Sequence, residues 1–353
     1  MSTDSIEISF LSFFVLINFF IFLVVTKYSY KIKNGILLDQ DFLKPQAFHQ
    51  NAISRSGGIA GIISLNIFFV IYYLLYSIIL YEYMFISFAM FLVGFIDDIK
   101  IKIRPLIRLL LMIFLLSFCI YFLPVQILNI NIPFLAFFLQ NNIFSLFFVL
   151  LCLLFIINGA NLIDGFNGLL AINLIIINII LTYININNGN IEFTTLLIAQ
   201  IIILLSFLLF NFPKAKIFLG DGGSYLMGSL VALNTIITNN LNPNYSSFFF
   251  CALLFYLFFE VFFSFIRKII QKKSPIRPDG NHLHMLNYRN LAKLFGKNKG
   301  HYLNTIIINF VYFILILPSL YFSKDPLMSR YWFFTLIVIY LLIYLRLYRL
   351  TKN

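Results

Sequence analysis

Four aspartates stand at the ends of apolar segments, where a carboxylate is energetically expensive. They are Asp97, Asp98, Asp164 and Asp221. Placing a carboxylate at bilayer depth costs on the order of 3 kcal/mol, so each of these acids needs a structural or functional explanation. Asp97 and Asp98 are adjacent and repel one another, an arrangement that a divalent cation or a shared proton makes favourable. The pair is therefore a candidate for metal-assisted chemistry, and its structural alternative is a plain helix end at the membrane interface.

Asp164 closes a stripe of polar side chains. Asn158, Asn161 and Asp164 are spaced by three, which places them along one face of a helix. Glycines follow at 165 and 168, where they allow the backbone to turn tightly and to approach a ligand. Amide stripes can also be mere hydrogen-bonding contacts between membrane helices. Because this stripe ends in a carboxylate and a glycine-rich turn, the pattern favours a binding site.

Asp221 lies in the glycine-rich run Gly220-Asp221-Gly222-Gly223-Ser224, where another apolar segment begins. Backbone N–H groups at a glycine-rich helix start can bind an anion, and the carboxylate can bring Mg²⁺ to the same place. The run therefore has the outline of a diphosphate site. The structural alternative is an aspartate that only caps the helix.

The longest basic loop, 267–303, carries the run from Arg277 to His284, in which His282 and His284 form a His-x-His pair. Such a pair directs both imidazoles to one side only when the segment is extended. Since the nearby acidic partners are limited to Asp279 and there is no nearby cysteine, the loop favours hydrogen bonding to phosphate or sugar over zinc ligation. Glu260 lies well inside an apolar segment, and the sequence does not decide between pairing with Arg267 and facing a cavity.

These residues are embedded in a chain that lipid must solvate. Of its 353 residues, 61% are hydrophobic and 11% are charged, outside the range of water-soluble domains. Apolar runs near 20 residues recur along the whole length. We predict an all-α, polytopic membrane protein with a single domain over residues 1–353 and about eleven transmembrane helices. The predicted spans are 7–28, 57–80, 82–97, 106–123, 143–163, 167–185, 193–211, 222–238, 245–266, 304–322 and 330–347.

The first span is interpreted as a helix rather than a signal peptide, because residues 1–9 carry two acids, no Lys or Arg, and no small-residue cleavage site follows. Three cysteines lie within predicted spans without paired spacing, so they are interpreted as apolar fillers rather than as a disulfide or zinc site. They are Cys119, Cys152 and Cys251.

The basic residues predict the orientation of the chain in the membrane. With the N-terminus outside and the C-terminus cytoplasmic, inner loops hold 23 of the 25 Lys and Arg residues, and only Lys324 and Arg330 fall outside. The net charge of +12 therefore reflects topology rather than nucleic-acid binding. The same orientation places Asp97, Asp164 and Asp221 on the cytoplasmic face of a bacterial inner membrane.

Five blocks between residues 39 and 290 resemble, in the expected order, the polyprenyl-phosphate N-acetylhexosamine-1-phosphate transferase superfamily, which includes the phospho-MurNAc-pentapeptide transferases. The blocks are His49-Gln50 with Arg55 to Gly58, Gly94 to Asp98, Asn158 to Leu169, Phe218 to Ser224 and Arg277 to His284. Asn167 replaces a commoner Asp, and Met285 replaces a frequent further His. The single His-x-His pair, Glu260 and Tyr288-Arg289 look more like the branch that initiates O-antigen or capsule glycans.

The resemblance implies transfer of an N-acetylhexosamine 1-phosphate from a UDP-sugar to undecaprenyl or another polyprenyl phosphate, with release of UMP. It implies Asp221 as the principal ligand of Mg²⁺, for which Mn²⁺ is a substitute, and Asp97 as the group that deprotonates or orients the lipid phosphate. Asp98 and Asp164 would hold substrate or the water shell of the metal. A covalent aspartyl-phosphate route is left open. The expected substrate-binding residues are His49, Arg55, Lys100, Asn158, Asn161, Asn167, Arg277, Asp279, His282 and His284.

The expected partners are a UDP-N-acetylhexosamine, a polyprenyl phosphate and membrane lipid, with a homodimer as an option and no nucleic acid. The alternative enzyme is a phospho-MurNAc-pentapeptide transferase of peptidoglycan synthesis, which the sparse histidines disfavour. The alternative of another class is a secondary transporter or lipid flippase, which should show inverted repeats and polar groups near mid-membrane. The acids and histidines are instead predicted to crowd one face.

Overall fold

Helices make up nearly all of the regular structure in the part of the chain that the computed structural model describes, which is residues 3–31, 35–39, 52–101, 103–123, 125–275 and 279–352, with backbone alone for residues 3–8. The helices are α1 Thr3–Ser29, α2 Gly57–Tyr76, α3 Tyr81–Asp98, α4 Pro105–Phe122, α5 Pro133–Leu139, α6 Asn142–Ile163, α7 Leu169–Asn187, α8 Ile191–Asn211, α9 Gly220–Leu241, α10 Ser247–Leu253, α11 Phe255–Ile270, α12 Leu283–Phe295, α13 Lys297–Tyr321 and α14 Pro326–Lys352. The prediction of an all-α membrane protein is confirmed.

Every predicted span falls on helical structure, with one of them broken. The apolar run 245–266 forms α10 and α11, which are bent by 75° at a break of one residue, Leu254. Two further helices, α5 and α12, lie where no span is predicted. By length and hydropathy, eight helices within the described ranges are able to cross a membrane, or nine if the bent pair forms one span. The count of eleven spans stays a prediction.

Helices α3 and α9 are predicted spans that fall outside those eight. Three acids, Glu82, Asp97 and Asp98, lower the hydropathy of α3. Helix α9 carries several polar side chains and is buried along most of its length. A helix that is surrounded by protein does not need an apolar face toward lipid. Helix α9 therefore belongs to the interior of the bundle, whereas α3 exposes Tyr81, Phe85 and Phe88 on one face.

Helix α9 is the central element, since it packs against α2, α3, α6 and α7. Glycines permit the close approaches. A Cβ on Gly94 would collide with the backbone of Asp221, and a Cβ on Gly58 would collide with the backbone of Gly223. The beginning of α9 is thereby held directly against α3 and α2.

A small two-stranded sheet fastens the segments that precede α2 and α9. Strand β1, Leu38–Asp39, pairs antiparallel with strand β2, Ile53–Ser54, and Ser54 also forms a parallel bridge with Ile217. The backbone N–H of Phe218 donates to the carbonyl of Ser54 at 2.8 Å. This arrangement fixes the approach to the glycine-rich run at Asp221.

A buried cluster of amides joins four helices farther along α9. The side-chain amide of Asn234 donates to Asn178 at 2.9 Å and to Gln200 at 2.7 Å, while its oxygen accepts from the hydroxyl of Tyr83 at 2.8 Å. Thirteen residues of helix separate Asn234 from Asp221, which is about 20 Å. These amides lie in segments that the sequence predicts as apolar membrane spans. They satisfy one another, as hydrogen-bonded contacts between membrane helices do.

Candidate active site

Asp98 binds the first turn of α9 from the end of α3. One carboxylate oxygen of Asp98 accepts a hydrogen bond from the backbone N–H of Asp221 at 2.9 Å, and the other accepts from Gly222 at 2.8 Å. The residue is 3% exposed. A carboxylate in this position satisfies N–H groups that no helical carbonyl can reach, and it complements the positive end of the helix dipole. Both oxygens of Asp98 are therefore engaged in positioning Asp221.

Asp97 and Asp221 meet at one guanidinium nitrogen. Nη1 of Arg108 donates to Asp221 Oδ2 at 2.7 Å and to Asp97 Oδ2 at 3.2 Å. The guanidinium also lies over the ring of Tyr225, with 5.6 Å between its central carbon and the ring centroid. The three charged side chains are each between a fifth and a third exposed. Two carboxylates from separate helices thus share a single position for positive charge.

Arg108 is a site residue that is not predicted from the sequence, where it is counted only among the basic residues of an inner loop. Its position in the sequence nevertheless indicates a role. Arg108 lies one turn inside α4, which begins at Pro105 and is otherwise apolar up to Phe122. A cation inside a membrane helix is expensive and needs a partner.

The asparagine stripe divides into one member that reaches the carboxylates and one that does not. The amide of Asn161 donates to Asp221 Oδ1 at 3.1 Å and to the hydroxyl of Ser224 at 2.9 Å. The amide of Asn158 donates to the carbonyl of Leu154, one turn back in its own helix. Asn161 therefore holds Asp221 on the side opposite Arg108.

Asp164 follows α6 directly and faces the same charged cluster. Burial and the neighbouring carboxylates of Asp221 and Asp98 raise the pKa of Asp164 well above its ordinary value, against the opposing effect of Arg55. In the part of the chain that the structure describes, the Asp164 carboxylate forms no hydrogen bond. It is available to a substrate or to a hydrated cation.

The glycine-rich turn after Asp164 is fastened to other elements. Asn167 donates its side-chain amide to the carbonyl of Pro213 at 3.0 Å and accepts at its backbone carbonyl from the hydroxyl of Thr305 at 2.8 Å. Gly168 takes the left-handed conformation, with φ of 74°, and donates its N–H to Asn211 at 2.6 Å. The contacts of Asn167 within the described chain are structural ones.

Two predicted substrate-binding cations lie close to the cluster through different contacts. Arg55 pairs with Asp39 at 2.7 Å and lies 3.6 Å from Asp98. Lys100, with φ of 61°, donates to the carbonyl of Gly35 at 3.1 Å. Arg55 neutralises charge beside Asp98, whereas Lys100 fixes the loop that precedes β1. Two further predicted residues, His49 and Arg277, lie outside the described residues.

The histidine segment, which we define as residues 279–284, is folded into the protein rather than presented as an exposed loop. His282 and His284 are 2% and 0% exposed. Asp279 forms an ion pair with Arg267 at 2.7 Å. Burial acts to raise the pKa of the Asp279 carboxyl, but the hydrogen bonds from Arg267 and the nearby positive charges outweigh it. The pKa of this carboxyl is therefore lowered. The segment is thus tied to α11 at its first residue.

His284 connects the histidine segment to the turn after Asp164. Its Nδ1 lies 3.2 Å from the hydroxyl of Tyr256, and its ring packs edge-on against Phe166 with 5.8 Å between centroids. Burial lowers the pKa of His284 to about 3, so the imidazole is neutral at physiological pH. Its Nε2 is buried and has no hydrogen-bond partner among the described residues. A neutral imidazole nitrogen without a partner is suited to a hydrogen bond with a ligand.

The donor set at Asp97 and Asp221 fits a magnesium ion. Carboxylate oxygens are hard ligands, and Mg²⁺ is commonly held by one or two carboxylates together with substrate phosphates. Both carboxylates already bind one cation, the Arg108 guanidinium. Within the described ranges there is no group of three or more His, Cys, Asp or Glu side chains placed to hold a metal ion. The residues therefore fit a shared site that substrate completes rather than a cage built by protein alone.

Residues 80–239 match the family described as glycosyl transferase family 4. Relatives extend the match. The undecaprenyl-phosphate alpha-N-acetylglucosaminyl 1-phosphate transferase of Thermotoga maritima is 30% identical over 140 residues, which are 39% of this chain and 41% of the relative. The probable undecaprenyl-phosphate N-acetylglucosaminyl 1-phosphate transferase of Bacillus subtilis is 25% identical over 267 residues, which are 74% of this chain and 70% of the relative.

A relative of the second enzyme type also matches. The phospho-N-acetylmuramoyl-pentapeptide-transferase of Clostridioides difficile is 29% identical over 197 residues, which are 52% of this chain and 61% of the relative. The chain thus spans less than two thirds of the T. maritima and C. difficile proteins. The family match contains Asp97, Asp164 and Asp221, the acids that the structure gathers. Over residues 80–239, which are less than half of its length, the chain is similar to glycosyl transferase family 4.

Proposed function

We propose that this protein transfers an N-acetylhexosamine 1-phosphate from a UDP-sugar to undecaprenyl or another polyprenyl phosphate. The observation that carries the proposal is the convergence of Asp97 and Asp221 on one cationic position, filled by Arg108. Phosphoryl transfer needs mainly positioning and neutralisation of oxygen charge, which clustered acids and cations provide. The names of the T. maritima and B. subtilis relatives support the lipid phosphate and the sugar.

In the proposed reaction, an oxygen of the lipid phosphate attacks the β-phosphorus of the UDP-sugar. The bond from that phosphorus to the oxygen bridging to the α-phosphate breaks, and UMP leaves with the electron pair. Asp97 accepts a proton from the lipid phosphate or orients it. Arg108 and Arg55 neutralise oxygen charge on the diphosphate, and Asn161 holds Asp221 in place. The neutral imidazole of His284 packs against Phe166 and supports the turn after Asp164 beside the nucleotide sugar.

Asp221 and Asp97 are the residues that would hold Mg²⁺. When bound, the ion supplies charge neutralisation at the phosphate oxygens. Asp98 takes no direct part in the proposed reaction, because Asp221 and Gly222 occupy both of its oxygens. This differs from the sequence-based expectation that Asp98 holds substrate. If a covalent aspartyl phosphate forms, the geometry favours Asp97 over Asp98 as its carrier.

A second candidate is phospho-N-acetylmuramoyl-pentapeptide transfer, and the C. difficile relative supports it. Two relatives with the same name, both from Clostridium perfringens, are 32% identical over 163 residues. The reaction chemistry is the same, and only the sugar substituent differs. A substrate panel therefore separates the two candidates.

We further propose that the site faces the cytoplasm of a bacterial inner membrane, where nucleotide sugars are made, and that the product starts a cell-envelope glycan such as an O-antigen or capsule. Positive residues on the inner loops support the orientation. A transporter is disfavoured because the charged cluster lies at one end of α3, α6 and α9, while the deeper amides pair with one another.

The deciding experiment supplies purified enzyme with undecaprenyl phosphate and labelled UDP-GlcNAc, UDP-GalNAc or UDP-MurNAc-pentapeptide. Labelled lipid and UMP are expected with an N-acetylhexosamine donor, and EDTA should stop both. Asp221→Asn should remove Mg²⁺-dependent UMP release. Its matched control is Asp325→Asn, because Asp325 caps α14 through N–H groups of Leu327 and Met328, and asparagine caps equally well. Labelled lipid from the pentapeptide donor alone would establish the second candidate instead.

A further inference from the structure

Glu260 is a buried acid to which neither the sequence nor the proposed reaction gives a role. It lies in α11 and is 1% exposed. Three donors from two distant parts of the chain bind its carboxylate. Nδ1 of His282 and the backbone N–H of Leu283 each lie 3.1 Å from Oε1, and the hydroxyl of Tyr340 donates to Oε2 at 2.6 Å.

The histidine segment has a second anchor at its other end. Arg267 donates to both carboxylate oxygens of Asp279, at 2.7 and 3.2 Å. Asp279 in turn lies 3.2 Å from Nε2 of His282. The hydroxyl of Tyr344 donates to the carbonyl of Asn281 at 3.0 Å. Helices α11 and α14 therefore bind the histidine segment near both of its ends.

These contacts engage both ring nitrogens of His282, one with Glu260 and one with Asp279. His282 thus fastens the histidine segment through both ring nitrogens, and among the described residues neither nitrogen is left free for a ligand. The rings of His282 and His284 are nearly parallel, with 4° between planes and 5.6 Å between centroids. The position of His282 therefore fixes where the second ring can lie, and His284 alone retains a nitrogen without a partner among the described residues.

We propose that Glu260 is a positioning residue that, with Tyr340, holds His282 and thereby fixes the ring of His284 against Phe166, in the turn after Asp164. This inference rests on the proposed function for the identity of the substrate, but not for the geometry. Removing the negative charge of Glu260 should weaken the hold on His282 and Leu283 together, because both donate to the same oxygen. The loss of catalysis should then result entirely from displacement of His284.

A kinetic cycle tests the dependence on His284. Glu260→Gln should lower kcat/KM for the UDP-sugar by about tenfold to a hundredfold, as expected for loss of hydrogen bonds to a charged group. Tyr340→Phe removes one hydrogen bond and should lower it by about two- to tenfold, which gives a milder variant if Glu260→Gln folds poorly. In a His284→Gln background, Glu260→Gln should cause no further loss. Additive losses would overturn the proposal.

Chemical modification tests the geometry without any activity. Diethyl pyrocarbonate acylates accessible imidazoles, and mass spectrometry of peptides that contain His282 and His284 measures the extent. Both should be protected in the wild-type protein and become reactive in Glu260→Gln, whereas the control Glu192→Gln, on the exposed first turn of α8, should stay protected. Unchanged protection in Glu260→Gln and Tyr340→Phe would overturn the proposal that these residues hold His282 in place. If no UDP-sugar is turned over, the proposed function fails while this result still decides the geometry.

Discussion

Two adjacent aspartates have different roles because successive residues of a helix point about 100° apart. Asp98 faces α9 and binds the N–H groups of Asp221 and Gly222. Asp97 faces α4 and meets Arg108. The double-aspartate pattern thus combines an acid that binds the first turn of α9 with an acid that meets Arg108. A substitution of Asp98 is expected to displace Asp221, so its effect on activity does not by itself show that Asp98 touches substrate.

The position of Arg108 predicts competition between this side chain and a divalent cation. Because its guanidinium occupies one oxygen of Asp97 and one of Asp221, Arg108→Gln should leave two repelling carboxylates. Mn²⁺ should then bind the substrate-free enzyme about tenfold more tightly or better, which corresponds to the loss of one or two charged hydrogen bonds. Titration by electron paramagnetic resonance measures this affinity. UMP release should fall in the same variant, because charge on the diphosphate is no longer neutralised.

Arg104→Gln is the matched control, since Arg104 is exposed and precedes α4 by one residue. It removes the same charge one turn away and should change neither Mn²⁺ affinity nor turnover appreciably. Unaltered or weaker Mn²⁺ binding by Arg108→Gln would show that the arginine and the metal do not compete for these carboxylates.

At the scale of elements, the site depends on how closely α3 approaches the beginning of α9. Gly94 makes this approach possible, because a Cβ there would overlap the carbonyl of Asp221. Gly94→Ala should therefore lower stability by about 1–3 kcal/mol, as overpacking against rigid backbone does. Activity should fall more than stability predicts, since the displaced group carries Asp221. Thermal unfolding in detergent and UMP release are the measurements.

Gly61→Ala provides the comparison for Gly94→Ala. Gly61 also faces α9, but its added Cβ would meet the flexible end of Met227 at 3.0 Å. That side chain can move by a few tenths of an ångström, so both stability and activity should be nearly retained. Equal behaviour of the two variants would mean that the α3 contact is not tight in the working enzyme.

The sequence predicts most of the helices but not how polar segments are buried. Long apolar runs and the acids at their ends can be recognised in the local sequence. They predict that Asp97, Asp164 and Asp221 lie near one another, as they do in the structure. The sequence does not show that the histidine segment is buried, because its partners, Glu260 and Tyr340, are distant in sequence. The break between α10 and α11 lies in an apolar run without glycine or proline, so no local signal marks it.

At the scale of the whole molecule, charge and site share one end of the bundle. The end of α3, the end of α6 and the beginning of α9 carry the clustered acids. Basic residues concentrate in the loops at the same end, where they can attract both nucleotide diphosphates and anionic lipid. Orientation in the membrane therefore decides which pool of substrates the site can reach.

Cysteine labelling in intact cells tests this orientation. In a variant in which Cys119, Cys152 and Cys251 are replaced by serine, single cysteines are placed at Lys214 and at Asn244, two exposed loop positions on either side of α9. A membrane-impermeant maleimide applied from outside should label Asn244→Cys and not Lys214→Cys, because the loop with Lys214 precedes Asp221 on the cytoplasmic side. Both should react after permeabilisation, which controls for accessibility. Labelling of Lys214→Cys alone in intact cells would place the carboxylates outside, away from cytosolic nucleotide sugars.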